Sequence, residues 1–204
     1  MHIEIHTHTA EHSPCSHILA EELVLSIYKK EISGVIITDH HYLWTDEEIL
    51  NLRARLDIQD DFLILSGQEV STKDYGDVLV YGAYESISKG QSLTDLRKKY
   101  PEAALVWAHP YRSGQVPTVI ELFNSNFDAI EILNPHQKEM ENKRGISDWK
   151  RWGYTATSGS DIHKTSYSEF YPISLQSEIK DIHSLISSIK EGLCAPTMGK
   201  YIEA

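Results

Sequence analysis

Short β-branched runs alternate with amphipathic stretches along almost the whole chain, the pattern of strands joined by crossover helices, so the expected class is α/β. Residues 2–8 (HIEIHTH) alternate in polarity, with Ile3 and Ile5 on one face and Glu4, His6 and His8 on the other. Leu19, Leu23 and Ile27 recur at a spacing of four and predict a helix over 18–30, with Gly34 as a stop. Residues 35–38 are nearly all apolar, as expected of a strand buried on both faces. Further strands are expected at 62–65, 104–108, 129–133 and 154–157, and helices at about 45–56, 93–100, 116–124, 138–152 and 181–191.

The apolar runs share an ending. Asp39, His40 and His41 follow the second strand, Glu69 the third, His109 the fourth, Asn134 the fifth, and Asp161 with His163 the sixth. In barrels of parallel strands the carboxyl ends share one rim, so these residues are expected to converge there although they are far apart in sequence.

Composition narrows the picture. A chain of 204 residues with 41% hydrophobic positions and no internal repeat or linker suits one domain spanning 1–204. No apolar run approaches the roughly 18 residues of a membrane span, and no basic-plus-apolar leader opens the sequence, so a soluble cytoplasmic protein is expected. Cys15 and Cys194 are expected to be reduced thiols. The formal charge of −11 disfavours long nucleic acid as a partner, although carboxylates that hold cations inflate that figure.

The chemistry lies in the strand endings. His6 and His8, two apart on a strand, leave the same face and suit one ion, though an isolated pair is equally a polar strand face. Glu69 is one carboxylate in an otherwise uncharged run (Gly67-Gln68-Glu69-Val70), with two oxygens that can bridge cations. His109 ends the most apolar strand, and Arg112 three residues on offers a planar fork suited to phosphate. Ser158-Gly159-Ser160-Asp161-Ile162-His163 combines a small-residue turn with a second i, i+2 ligand pair.

In order, HTHT at 6–9, ITDHH at 37–41, GQEV at 67–70, AHPYR at 108–112 and GSDIH at 159–163 resemble the motifs of the PHP (polymerase and histidinol phosphatase) superfamily, and the tail from Ser177 to Met198 resembles its closing helix and strand. The resemblance implies a distorted seven-stranded (β/α) barrel, two or three divalent ions (Zn, Mn or Fe) and hydrolysis of phosphate esters. By position it implies His6, His8, Glu69 and Asp161 around one ion, with Glu69 bridging, and His40 and His163 on a second. It implies His109 on a third that shares Glu69. The chain departs from the pattern twice. Pro14 stands where another residue completes the second set, with His17 the expected substitute and His12, then Cys15, its competitors. The additional histidine between Glu69 and His109 is missing, and Asp77 is the nearest replacement.

Two adjacent cations would lower the pKa of a shared water towards neutrality, so the expected attack is by a bridging hydroxide on a small phosphorylated metabolite or nucleotide. Glu69, Asp161 and Arg112 are the expected catalytic residues, and Arg112 with Lys164 would face the phosphate oxygens. Asp161 or a histidine at the rim would handle the leaving-group proton. Asp39 is expected to orient an imidazole, and Glu131 and Asn134 to be either site wall or hydrogen-bond partners. His2, His41, His136 and His183 are expected at the surface or in packing. The rival readings are a TatD-like nuclease, an amidohydrolase acting on C–N bonds, and a metal-stabilised binding module without catalysis.

Overall fold

The computed structural model describes residues 1–30, 32–165 and 170–197. Among these residues six α-helices accompany ten strands: β1 (His2–Ile3), α1 (Ala20–Tyr28), β2 (Gly34–Ile37), α2 (Asp46–Ala54), β3 (Leu63–Ser66), β4 (Gln68–Ser71), β5 (Asp77–Tyr81), α3 (Leu93–Lys99), β6 (Ala104–Trp107), α4 (Val119–Leu122), β7 (Ala129–Leu133), α5 (Glu139–Trp152), β8 (Ala156–Ser158), β9 (Ile173–Leu175), α6 (Ile182–Lys190) and β10 (Cys194–Pro196). The expected closing helix and strand are α6 and β10; Met198 lies outside the described residues.

The fold is mixed α/β, and the strands pair as three sheets, β1-β9-β10, β2-β3 and β4-β5-β6-β7-β8, rather than as one continuous closed barrel among the described residues. The expectation of parallel strands throughout needs correcting too. β2 and β3 are parallel, as are β6, β7 and β8, but β5 runs antiparallel to both β4 and β6. The physical reason is the connection: only residues 72–76 join β4 to β5, too few for a crossover, and Thr72 N–H closes the turn on Gly76 O at 2.7 Å. Isolated parallel bridges link what the sheets leave apart, Glu4 with Val35, His40 with Glu69, and Thr7 with Ile162.

Side-chain alternation divides the apolar residues into inner and outer sets. Ile36 of β2, Leu79 and Tyr81 of β5, Val106 of β6 and Ala129 of β7 point into one central core with Ile3 and Ile5. Val35 and Ile37 face outward onto Leu23 and Ile27 of α1 and Leu52 of α2. Leu105 meets Leu93 and Leu96 of α3, while Ile130 and Ile132 meet Ile146 of α5. Each such burial is worth roughly 1.5–3 kcal/mol, which is what holds helix to strand here. α5 comes closest at Gly145, where a Cβ would lie 2.8 Å from Ile132 O. Ile173, Leu175, Leu185, Ile189 and Cys194 join the central core from β9, α6 and β10, on the side of the strand starts, since β9 pairs with β1 at His2 and Ile3. The strand ends are left to the polar residues. No helix among the described residues is long and apolar enough to cross a membrane.

Candidate metal centre

Beyond β1 the chain stays extended, laced on one side to β2 and on the other to the segment after β8: Thr38 N–H donates to Thr7 O at 2.9 Å, and Asp161 N–H to His6 O at 2.8 Å. These backbone bonds carry His6 and His8 into contact with Asp161. All of Glu4, His6 and His8 are fully buried, because the stretch packs on both faces. Glu69, in the middle of β4, arrives from the other side through the His40 bridge.

Four donor atoms thereby converge. His8 Nε2 lies 3.1 Å from Glu69 Oε2, 3.2 Å from Asp161 Oδ1 and 3.2 Å from His6 Nε2. His6 Nε2 is 3.4 Å from Glu69 Oε2 and 3.5 Å from Asp161 Oδ1. Two imidazoles and two carboxylates, at most 2% exposed, fit the donor set and the buried geometry that a divalent ion needs. Three further groups adjoin this one: His8 with His40 and His163, Glu69 with Asp77 and His109, and His136 with Asp161 and His163. Glu69 touches the neighbours on both sides, since Oε2 lies 3.3 Å from His40 Nδ1 while Oε1 lies 3.0 Å from His109 Nε2.

A second layer orients these side chains. His6 Nδ1 pairs with Glu131 Oε1 at 2.8 Å; a carboxylate only accepts, so Nδ1 carries the hydrogen and Nε2 turns to the cluster. Glu131 Oε2 also accepts from His109 N–H and from Asn134 Nδ2, each at 3.0 Å. Asp39 binds no cluster atom. It accepts from Thr9 N–H, Ser13 Oγ and Trp44 Nε1 at 2.6–2.7 Å, and Ser13 Oγ stands 3.3 Å from His8 Nδ1, so Asp39 orients that imidazole through a hydroxyl.

Electrostatics follow from crowding charges out of water. Burial alone would lower the pKa of His8, but hydrogen bonds and charge from Asp161 and Glu69 outweigh it and raise it to about 9. His6 is raised well above its ordinary value against the same burial, by Glu131, Asp161 and Glu69. Glu69 and Asp161 stay well below the ordinary carboxylate range in spite of burial, held there by the histidines. Burial, helped by the charge on His8, pushes His163 down to about 4, and His40 is lowered too. Backbone strain is concentrated in the same place. Among the described residues, the non-glycine positions with positive φ are His109 (32°) and Asp161 (47°) in the cluster, His41 (59°) beside His40, and Ser113 (62°) beside Arg112.

Arg112 stands over the cluster. Its Nη2 donates to Asp161 Oδ2 and, at 3.3 Å, to Asn134 Oδ1, while its buried Nε has no partner among the described residues.

No protein-family model matches the chain, and no curated protein does. Solved structures do. A protein from Bifidobacterium adolescentis ATCC 15703 described as a metal-dependent phosphoesterase is 14% identical with a TM-score of 0.62, over 92% of this chain and 95% of that one. An amidohydrolase from Chromobacterium violaceum is 15% identical with a TM-score of 0.65, over 92% and 96%. The lesion-specific endonuclease EndoQ from Pyrococcus furiosus is 13% identical with a TM-score of 0.63, over 93% of this chain but 56% of its own length. The chain has the fold of these proteins. The likeness expected from the ordered motifs therefore holds at the level of fold.

Of the residues singled out from sequence, the structure brings together His6, His8, His40, Glu69, His109, Asp161 and His163, with Asp77 at 4.0 Å from His109 Nε2. His17 needs correcting as the second-set ligand. Its backbone N–H is tied to His163 O at 2.7 Å, its side chain is exposed, and it belongs to none of the four groups; His8 stands with His40 and His163 instead. His12 is stacked on Tyr42 at 3.5 Å, 3.4 Å from Glu48, and Cys15 is an exposed thiol, so neither competitor joins a group. Lys164 is exposed. His136, expected at the surface or in packing, is exposed but also reaches the rim beside Asp161 and His163, and sequence reasoning missed Ser13, whose role depends on contacts that no spacing reveals.

Proposed function

We propose that this chain is a single-domain, metal-dependent phosphoesterase of the PHP type that hydrolyses a small phosphorylated metabolite or nucleotide. Its frame would be a distorted barrel of seven strands, with β1, β2, β3 continued by β4, and β5 to β8, closed in part through the isolated bridges rather than by full ladders. The observation that carries the reading is the buried His6, His8, Glu69 and Asp161 set with the Arg112 guanidinium directly on Asp161. His6, His8, Glu69 and Asp161 would hold one divalent ion, and His40 and His163, with His8 beside them, a second. Glu69, Asp77 and His109 offer a more carboxylate-rich third position. Bound Zn, Mn or Fe ions would supply Lewis acidity and lower the pKa of a water.

The protein's own groups do the rest. Glu69 spans the positions with its two oxygens, and Glu131 and Asp39 fix the imidazoles so that little reorganisation is left for the reaction. Arg112 would turn its fork to the non-bridging phosphate oxygens, satisfying its Nε, with Lys164 as a more distant cation. That planar donor favours phosphoryl over amide substrates, and the group spanning the positions is a glutamate rather than the carboxylated lysine an amidohydrolase-type centre would use. A nuclease reading has the shared fold in its favour, but a formal charge of −11 works against long polyanions.

The test is a turnover screen of phosphomonoesters, phosphodiesters, oligonucleotides and amides, with and without added Mn²⁺ or Zn²⁺. Metal-dependent release of phosphate from small esters is expected. Amide cleavage alone, or a tenfold preference for oligonucleotides at matched salt, would replace the reading.

A further inference from the structure

One ring that motif spacing leaves at the surface reaches the centre. His136 sits in the turn after β7, where its backbone N–H donates to Asn134 Oδ1 at 2.8 Å. The same oxygen accepts from Arg112 Nη2 at 3.3 Å, so one amide side chain secures both the turn and the guanidinium. From that turn the ring crosses to the segment after β8. Its Nε2 lies 2.9 Å from Asp161 O, and the ring stands edge-on to His163, with centroids 5.4 Å apart and planes at 81°. His163 Nδ1 lies 2.8 Å from that same Asp161 oxygen.

A carbonyl oxygen only accepts, so both nitrogens must carry hydrogen. For neutral His163 this fixes the tautomer, with the hydrogen on Nδ1 and the lone pair on Nε2. For Asp161 it means that a peptide at φ 47°, a conformation non-glycine residues seldom hold, is pinned by two donors on its own carbonyl. Without the His136 donor that carbonyl would keep only the ring of its own neighbour but one; Asp161 N–H would stay on His6 O and its carboxylate on Arg112, but the freed carbonyl would turn and carry with it the His163 ring that donates to it.

We propose that His136 is a positioning residue of the centre: by donating to Asp161 O it locks the left-handed Asp161 peptide and the His163 ring, and so sets the affinity of the ion position formed by His8, His40 and His163. The inference rests on the metal-centre reading above and adds to it a residue outside the ordered motifs.

The experiment is equilibrium dialysis of the full chain against Co²⁺, with metal analysis and the Co²⁺ absorption spectrum, for wild type, His136→Ala and His136→Gln. Glutamine has an amide donor for the carbonyl but is a poor ligand for the ion. In His136→Ala one equivalent should bind about 10- to 100-fold more weakly, with an altered spectrum, as is typical when an outer partner of a ligand is lost. The other equivalent and the thermal midpoint of the metal-free chain should stay near wild type, because His136 is exposed. His136→Gln should recover affinity to within about threefold. Should the alanine variant not fold, His136→Leu keeps the bulk without the donor and repeats the comparison. Wild-type binding in the alanine variant would overturn the inference. So would a glutamine variant as weak as alanine, which would make His136 a direct ligand. Absence of Co²⁺ binding by the wild-type chain would overturn the metal-centre reading itself and this inference with it.

Discussion

Glu69 has both oxygens engaged, Oε2 with His6, His8 and His40 and Oε1 with His109, so its charge serves several neighbours at once. Glu69→Gln keeps the size and removes the charge; hydrolysis should fall at least about a thousandfold, with metal content reduced and the fold retained. His41→Ala, which loses a 3.1 Å contact with Ile87 O and a loose ring contact with His40 at 6.2 Å between centroids, should keep more than half of wild-type turnover, and comparable activity in the two variants would sink the bridging role. Gly159 is required by closeness rather than by φ: a Cβ there would sit 2.1 Å from Glu131 Oε1 and 2.6 Å from His6 Cβ. Neither neighbour can withdraw, because Glu131 is tied to His6 Nδ1 and to the backbone of His109. Gly159→Ala should therefore cost about 1–3 kcal/mol and lower metal occupancy, to be read by denaturation and metal analysis together. A gain or no change in both would mean the turn has slack that its contacts do not suggest. Arg112→Ala should lower kcat/KM for a small phosphomonoester about ten- to a thousandfold, roughly 1.4–4 kcal/mol, with Arg112→Lys recovering only part because it supplies charge without the fork. Full recovery by lysine would reduce the role of Arg112 to charge alone.

Helices were the most legible elements. All six lie where amphipathic periodicity puts them, and several carry their own start signals: Thr45 and Glu48 form a reciprocal capping box on α2, with the Glu48 N–H 3.2 Å from Thr45 Oγ1 and Thr45 N–H 2.7 Å from Glu48 Oε2. Since that box lies on an exposed turn, Thr45→Ala should cost about 1 kcal/mol, a fall of roughly 2–4 °C in thermal midpoint for a chain of this size, with turnover unchanged. A loss of activity larger than the loss of stability would show that α2 is coupled to the site. Strands were less legible in proportion to their shortness. β9 has three residues, and β5 was hidden because Asp77 drew attention as a ligand candidate rather than as the first residue of Asp77–Tyr81. The central cluster was legible because His40 and His109 each follow an apolar strand and Asp161 a small-residue turn paired with His163, and these are local properties of sequence. His17 was misplaced and the reach of His136 was not legible for the opposite reason: which side chain meets the cluster depends on the backbone bond from His17 to His163 O and on the crossing of the exposed His136 to Asp161 O, contacts made only after folding.

At the scale of the whole molecule, folding forces two carboxylates and two imidazoles out of water together, and pH then sets protons against metal ions for the same atoms. In the metal-free chain His8 has a pKa of about 9, above its ordinary value, because Asp161 and Glu69 outweigh the effect of burial. A raised folded pKa contributes stability that is fully present below the unfolded value near 6.5 and is lost as pH climbs through about 9. His6, also raised, acts in the same direction. In a metal-loaded chain an ion held by His8 would occupy its lone pair, so this group would give no further pH dependence once the unfolded histidine has lost its proton above about 6.5. His163, at about 4, and the lowered His40 add stability as their unfolded forms lose protons near 6.5, but equally with and without the ion, and Glu69 and Asp161 are already ionised, so none of them changes the gap. Thermal midpoints measured from pH 6.5 to 8.5 with excess chelator should therefore fall with rising pH more steeply than those measured with saturating Mn²⁺, and the gap between the two curves should widen. The apparent Mn²⁺ affinity should rise over the same range by about tenfold per pH unit for each proton displaced, one from His8 and a second where His6 also yields one. A gap that stays constant or narrows would mean that the ion does not bind where the histidine protons reside, and the four-residue set would lose its claim to be the centre.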